Sequence, residues 1–180
     1  VAKFEDAIEH VLRHEGGYAE TPGGEIVNRG ITQHTLRRLR IDIHPRDLSE
    51  DQIRAIYREH YWYLRAPHIP TALDELESQA VANKIFDLFV PCAGHQAVIK
   101  MLQTAVGTRR DGIFRATTVR FANIRSSLYV VKAISGLAYD YLEEMAENEF
   151  ALAQNATARE YWRQKRIGWQ ARANWDGVSL

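Results

Sequence analysis

Phe4, Ala7, Ile8, Val11 and Leu12 recur at helical spacing, and the apolar stripe they make is continued by an acid, Glu15. Glu15 stands seven residues after Ile8 and three after Leu12, and Gly16-Gly17-Tyr18 follows at once. A pair of glycines is a costly continuation of a helix, so the helix ends there. The chain is thereby committed to an amphipathic N-terminal helix whose core-facing side delivers a carboxyl group to its own C-terminus. A carboxyl on a core-facing stripe loses solvation, which favours its protonated form near neutral pH. A proton held that way suits a general acid, and the glycines leave room beside it for a ligand. The competing interpretation is a solvated glutamate at an ordinary helix end.

Elsewhere strand signals are scarce. Thr21-Pro22-Gly23-Gly24 is a turn cluster, and Ile26-Val27 after it is the best candidate for a short strand or hairpin. Thr32 can N-cap a helix carrying Leu36 and Leu39. Ser49-Glu50-Asp51-Gln52 has capping-box spacing and predicts a helix through Ile53, Ile56 and Tyr57 towards Trp62. Pro67 and Pro70 mark a connection, after which one long helix is predicted over 72–89, ending at Pro91. Further helices are predicted from near His95, Thr117, Ser127 and Thr157, and Trp169 and Trp175 read as packing residues of the tail. The fold class expected is α+β, predominantly helical, with a small β-hairpin beside the first helix and a cleft against a helical second lobe.

At 180 residues, 46% hydrophobic and 26% charged, the chain can build one sizeable core. Its 23 basic and 23 acidic residues cancel, which removes the global field that would draw it to nucleic acid. The arginine clusters at 37–40 and 109–125 read as solvated faces. Cys92 is the sole cysteine, so no intrachain disulfide braces the fold, and it has no readable His-Asp partnership of a thiol hydrolase. No leader or spanning segment is visible, which predicts synthesis in the cytoplasm and no stable membrane insertion.

Phe4, Glu15-Gly16-Gly17-Tyr18, Gly23-Gly24 and Asn28-Arg29-Gly30-Ile31-Thr32 resemble glycoside hydrolase family 108. So, in order, do Ile56-Tyr57-Arg58, Tyr61-Trp62, Ile69-Pro70, the run Phe86-Asp87-Leu88-Phe89-Val90, and Lys100-Met101-Leu102-Gln103-Thr104-Ala105-Val106-Gly107. Asp111-Gly112-Ile113, Thr117, Gly168-Trp169 and Arg172 complete a resemblance that spans nearly the whole chain. It implies a lysozyme-like fold, with residues 1–70 as a catalytic lobe. Residues 71–180 would be a helical lobe resembling the family's predicted peptidoglycan-binding region, packed as one unit with the first. The implied activity is cleavage of the β-1,4 bond between N-acetylmuramic acid and N-acetylglucosamine in bacterial peptidoglycan, with Glu15 in the place of the family's catalytic glutamate. The implied setting is the periplasm or cell wall, reached through a holin or a secretion system, for a phage endolysin or an exported effector.

The departures concern the second carboxylate. Family members carry an aspartate, then a threonine, between the glutamate and Gly-Ile-Thr; here no aspartate is present, and Val27 stands at or beside the threonine position. An inverting hydrolase needs a carboxylate roughly 6.5–9.5 Å from the acid to activate water. Glu20 is the nearer match in loop position and Glu25 the runner-up. A lytic transglycosylase using Glu15 alone, or a non-catalytic wall-binding protein, would also fit. Pro91-Cys92-Ala93-Gly94 and Arg115-Ala116 depart from the family's usual turns as well.

Among the remaining candidates, Tyr18 could stack on a sugar ring. Asn28 could bond an acetamido group or cap its turn, and Thr32 reads as a helix cap first and a site residue second. Tyr57, Tyr61, Trp62 and Tyr63 read as core residues. His10 and His14 stand at a metal-binding spacing without a third ligand, so they are expected at the surface, with no metal or other cofactor. Asp87 reads as a buried structural hydrogen-bond acceptor.

Overall fold

A computed structural model of the protein describes residues 1–21, 23–64, 72–92 and 95–178. Helix α1 (Phe4–His14) leads into a three-stranded antiparallel sheet of β1 (Ala19–Glu20), β2 (Ile26–Asn28) and β3 (Ile31–Thr32), in that spatial order. Helices α2 (Gln33–Leu39) and α3 (Glu50–Tyr57) follow, with a 3-10 turn (Pro45–Asp47) between them and a π-helical turn (Arg58–Trp62) prolonging α3. After a second 3-10 turn (Leu73–Glu75) come α4 (Gln79–Leu88), α5 (His95–Val106), α6 (Ala116–Asn123), α7 (Ser127–Leu152) and α8 (Ala156–Asn174). The fold is α+β and predominantly helical, with its sheet beside α1.

Local signals set several boundaries. Ser49 and Gln52 exchange both bonds of the capping box, at 3.2 and 2.9 Å. Thr32 Oγ1 accepts from the Thr35 amide at 3.1 Å and starts α2. The β2–β3 turn places Arg29 and Gly30 at φ 48° and 77°, the left-handed pair that matches the twist of a two-residue hairpin. Helix α4 is buried on every side from Val81 to Leu88, which makes it the central element. Phe86 on it meets Phe4 of α1 and Trp62 edge-on, with ring centroids 5.8 and 5.6 Å apart. One continuous core joins Phe4, Ile8, Leu36 and Trp62 to Phe86, Leu102, Ile134 and Ala173. Helix α8 folds back along α7 after an Asn155 N-cap (2.8 Å to the Ala158 amide) and so brings its C-terminal turn to α4.

Three expectations need correction. The α-helix expected over 72–89 begins only at Gln79: Ser78 caps it, while Leu73 and Leu76 are buried in the preceding stretch, which holds only the 3-10 turn. Three contacts fix that stretch: the Ala2 amide on the Leu76 carbonyl (2.8 Å), the Glu77 amide on the Asn123 side-chain oxygen (3.0 Å), and the Asn123 side-chain amide on the Glu75 carbonyl (3.1 Å). His10 is not at the surface; it is buried, its ring stacked on Trp175 at 3.3 Å, because the chain leaving α8 covers that face of α1. Asp87 is fully buried, but neither carboxyl oxygen accepts a hydrogen bond. Pro67 and Pro70 lie outside the described residues. Among the described residues, no helix is long and apolar enough to cross a membrane.

Candidate active site

Glu15 is the residue at which α1 stops. Its amide still bonds the Val11 carbonyl at 2.9 Å, but its own backbone is extended, so the side chain swings off the helix end into a crevice. Gly30 forms the crevice wall. A Cβ built on Gly30 would lie 2.6 Å from Glu15 Oε2 and 2.6 Å from the Tyr57 hydroxyl, so glycine is required there for space as well as for φ. The Tyr57 hydroxyl donates to the Arg29 carbonyl at 2.8 Å, tying the hairpin turn to α3. Burial, and next the Glu15 charge, push that phenol well above its ordinary range, so the donated proton stays in place.

Facing Glu15 is Arg172, in the last turn of α8. Its Nη2 donates to Glu15 Oε1, and its Nε stands 3.6 Å from Asp87 Oδ1. The three side chains are nearly sealed, at 12% exposure for Glu15, 7% for Arg172 and 0% for Asp87. Burial raises the Asp87 carboxyl above the usual carboxylate range, while Arg172, His14 and Lys84 pull it back. Burial also works against the Arg172 charge, but Asp87 and Glu15 more than restore it. Glu15 is therefore largely withdrawn from solvent, as its place on the core-facing stripe predicts, but it is held there by a guanidinium that the stripe did not reveal.

Lys84 makes this arrangement possible. Fully buried on α4, its Nζ donates to the carbonyls of Arg172 (2.6 Å), Ala173 (2.7 Å) and Trp175 (2.9 Å), capping the C-terminal end of α8, where the Trp175 amide also bonds the Arg172 carbonyl at 3.2 Å. Burial lowers Lys84 to about 8. Three carbonyl acceptors call for three N–H donors, so the ammonium form is the one this geometry holds near neutral pH. Sequence reasoning passed over Lys84 and gave Arg172 no role. The available signal was a lysine and an aspartate one turn apart on an otherwise apolar helix.

Two cavities meet along α8. One, of about 260 Å³, is lined by Glu15, Gly16, Tyr161, Gly168, Trp169 and Arg172 among others. The other, of about 440 Å³, is lined by Thr21, Gly23, Glu25, Asn155, Tyr161 and Trp162 among others. Tyr161 belongs to both, so the two adjoin at that side chain, one beside Glu15 and the other beside the hairpin turn, and together they form the candidate groove. Trp169, read from the sequence as a packing residue, is part of its wall.

The two candidate partners of Glu15 part company here. Glu20 pairs with Ile26 across the hairpin, whereas the Thr21 amide bonds the Glu25 carbonyl at 2.8 Å. Thr21 and Glu25 flank the turn just beyond the paired strands, and the Thr21 hydroxyl also accepts from the Glu25 amide at 3.1 Å; Glu20 lines neither cavity. Thr21 and Glu25 are the pair that lines the groove. Tyr18 is exposed, with the Arg46 guanidinium 4.9 Å over its ring and bonded to its hydroxyl at 3.1 Å; it lines neither cavity. Asn28 donates its amide to the Pro45 carbonyl at 2.7 Å, pinning β2 to the 3-10 turn, and Thr32 caps α2.

His10, His14 and Asp87 bring potential metal donors within 4.8 Å of one another, supplying the third ligand that the sequence did not reveal. A cation is already in place, since Arg172 Nε faces the same Asp87 oxygen and Lys84 lies close by. Those charges oppose a further divalent ion. Burial, then His14 and Arg172, lower His10 to about 3, so its ring is neutral. Burial pushes the Cys92 thiol up to about 12, unsuited to a nucleophile.

Residues 8–92 match a family model described as glycosyl hydrolase 108. The solved structure of Brucella abortus SagA superposes with a TM-score of 0.71, covering 98% of this chain and 96% of that one at 24% identity. That likeness concerns the fold, which is of the lysozyme-like α+β type and extends the shared architecture through α8. A comparison with curated proteins returned no match.

Proposed function

We propose, from the match of residues 8–92 to the glycosyl hydrolase 108 model, that the chain hydrolyses the β-1,4 bond between N-acetylmuramic acid and N-acetylglucosamine in bacterial peptidoglycan. The observation that carries this reading is Glu15, set at the end of α1 in a cavity lined by Tyr161 and Trp169, with Trp162 in the adjoining one. Aromatic faces suit the apolar side of a pyranose.

Glu15 gives its proton to the glycosidic oxygen as the C1–O bond breaks, and the sugar develops oxocarbenium character. Arg172, bonded to Glu15 Oε1, stabilises the carboxylate left behind. Water then adds to C1 and surrenders a proton to Glu25, which takes precedence over Glu20 because it faces the groove. The enzyme acts in the periplasm or on the wall, delivered through a holin or a secretion system.

Purified sacculi provide the test. Wild type releases fragments ending in reducing N-acetylmuramic acid; Glu15→Gln still pellets with sacculi but releases none. Undiminished release by Glu15→Gln refutes the assignment, and anhydro-muramyl ends would replace hydrolysis with transglycosylation. Glu25→Gln is expected to lose on the order of 10²-fold in rate, with Glu20→Gln near wild type. The reverse pattern would move the base to Glu20.

A further inference from the structure

We infer that Arg172 is a positioning residue that follows the proton of Glu15, lying on Glu15 when that carboxyl is ionised and closing onto Asp87 when it is protonated. This rests on the reading of Glu15 as the acid.

Asp87 has two fully buried oxygens with no hydrogen-bond donor, an expensive condition for a carboxyl group. The nearest donor is Arg172 Nε at 3.6 Å from Oδ1, beyond hydrogen-bond range; closing that gap to about 2.9 Å is a movement of roughly 0.7 Å. The same guanidinium is bonded to Glu15 Oε1. A planar fork with five N–H donors can serve either carboxyl well, and it suits two parallel bonds to one of them. The backbone behind it stays fixed, because Lys84 holds the Arg172 carbonyl at 2.6 Å. Any adjustment is therefore confined to the side chain.

The charges decide which carboxyl takes the fork. With Glu15 neutral, Asp87 is the remaining anion and attracts the whole guanidinium charge. Once Glu15 has passed its proton to the leaving oxygen, it becomes a second anion, and Arg172 is shared towards it. Asp87 thus competes with Glu15 for the Arg172 guanidinium, and Arg172 supports the charge that appears on Glu15 during the reaction. The other charged or titratable groups facing the cluster include His10 and His14 from α1, Tyr57 from α3, Tyr61 from the π-helical turn, Lys84 from α4 and Cys92 just beyond α4.

Two experiments test this. In a crystal structure of Glu15→Gln, a neutral stand-in for the protonated acid, both Asp87 oxygens are expected to accept from Arg172. A fork left on the side chain at position 15 would overturn the inference, whether or not the protein is active. In Asp87→Asn, checked for folding by circular dichroism, kcat on sacculi is expected to fall at least tenfold with KM little changed. The alkaline limb of its pH–rate profile should move to lower pH. A loss equal at every pH, or none, would leave Asp87 a packing residue. If Asp87→Asn does not fold, Arg172→Lys supplies the kinetic arm: it keeps the charge, loses the fork, and should shift the same limb. Wild-type inactivity on sacculi would instead defeat the function, leaving the crystallographic result to stand by itself.

Discussion

Replacing Gly30 by alanine tests whether the hairpin turn sets the position of Glu15. Two costs are expected. At φ 77° the added Cβ meets its own carbonyl, at about 1–2 kcal/mol. The same Cβ would lie 2.6 Å from Glu15 Oε2, 2.6 Å from the Tyr57 hydroxyl and 2.7 Å from Glu15 Cδ, an overpacked contact worth about 1–3 kcal/mol more. Gly24→Ala separates the two, because Gly24 has φ 78° but its nearest neighbour is 3.9 Å away. Urea denaturation should therefore show Gly24→Ala down by about 1–2 kcal/mol. Gly30→Ala should lose about 2–5 kcal/mol, and each kcal/mol is worth about 2–4 °C in Tm for a chain of this size. Relieving the contact pushes the Glu15 carboxyl back by something under 1 Å, a displacement that can cost on the order of 10²-fold in rate. Turbidity clearing of sacculi reads that loss, and Gly24→Ala should keep near-wild-type activity. If Gly30→Ala is no less stable than Gly24→Ala and equally active, the close packing of Glu15 on the turn is refuted.

Lys84→Met preserves bulk but removes the ammonium from three carbonyls at the end of α8, at about 1–3 kcal/mol for each buried group left unsatisfied. A total near 3 kcal/mol or more is expected in denaturation, with faster amide exchange in the last turn of α8; unchanged stability would argue against the cap. Burial lowers His10 to about 3 and His95 to about 4, both from 6.5. The unfolded chain thus binds more protons between those values, and the stability these rings contribute is complete above pH 6.5 and lost as pH falls towards them. The slope approaches about 1.4 kcal/mol per pH unit for each histidine, with Asp87, raised by burial, acting in the opposite sense. Urea titrations at pH 7 and 4.5 should show a shallower decline in His10→Gln; an identical decline would remove His10 from the account.

Short-range patterns carried much of the architecture. The stripe from Phe4 to Leu12 fixed α1, the glycine pair fixed where it stops, and Ser49-Gln52 and Thr32 fixed two further helix starts, because periodicity and capping are properties of neighbours in the chain. The same locality explains the miss at 72–78. Helical propensity alone could not register that the Ala2 amide and Asn123 hold that stretch in another conformation.

The sequence by itself determined that an acid would stand at the end of an amphipathic helix beside a glycine-rich hairpin. It could not determine that acid's surroundings. Arg172 reaches Glu15 across 157 positions of sequence, and Lys84 reaches the carbonyl of Arg172 across 88. Only the packing of α8 against α4 brings these charges to one carboxyl. Likewise only the folded hairpin against α8 distinguishes Glu25, which lines a cavity with Tyr161 and Trp162, from Glu20, which does not. A buried charge is governed by what lies within a few ångströms of it in space, and that is what the folded chain decides.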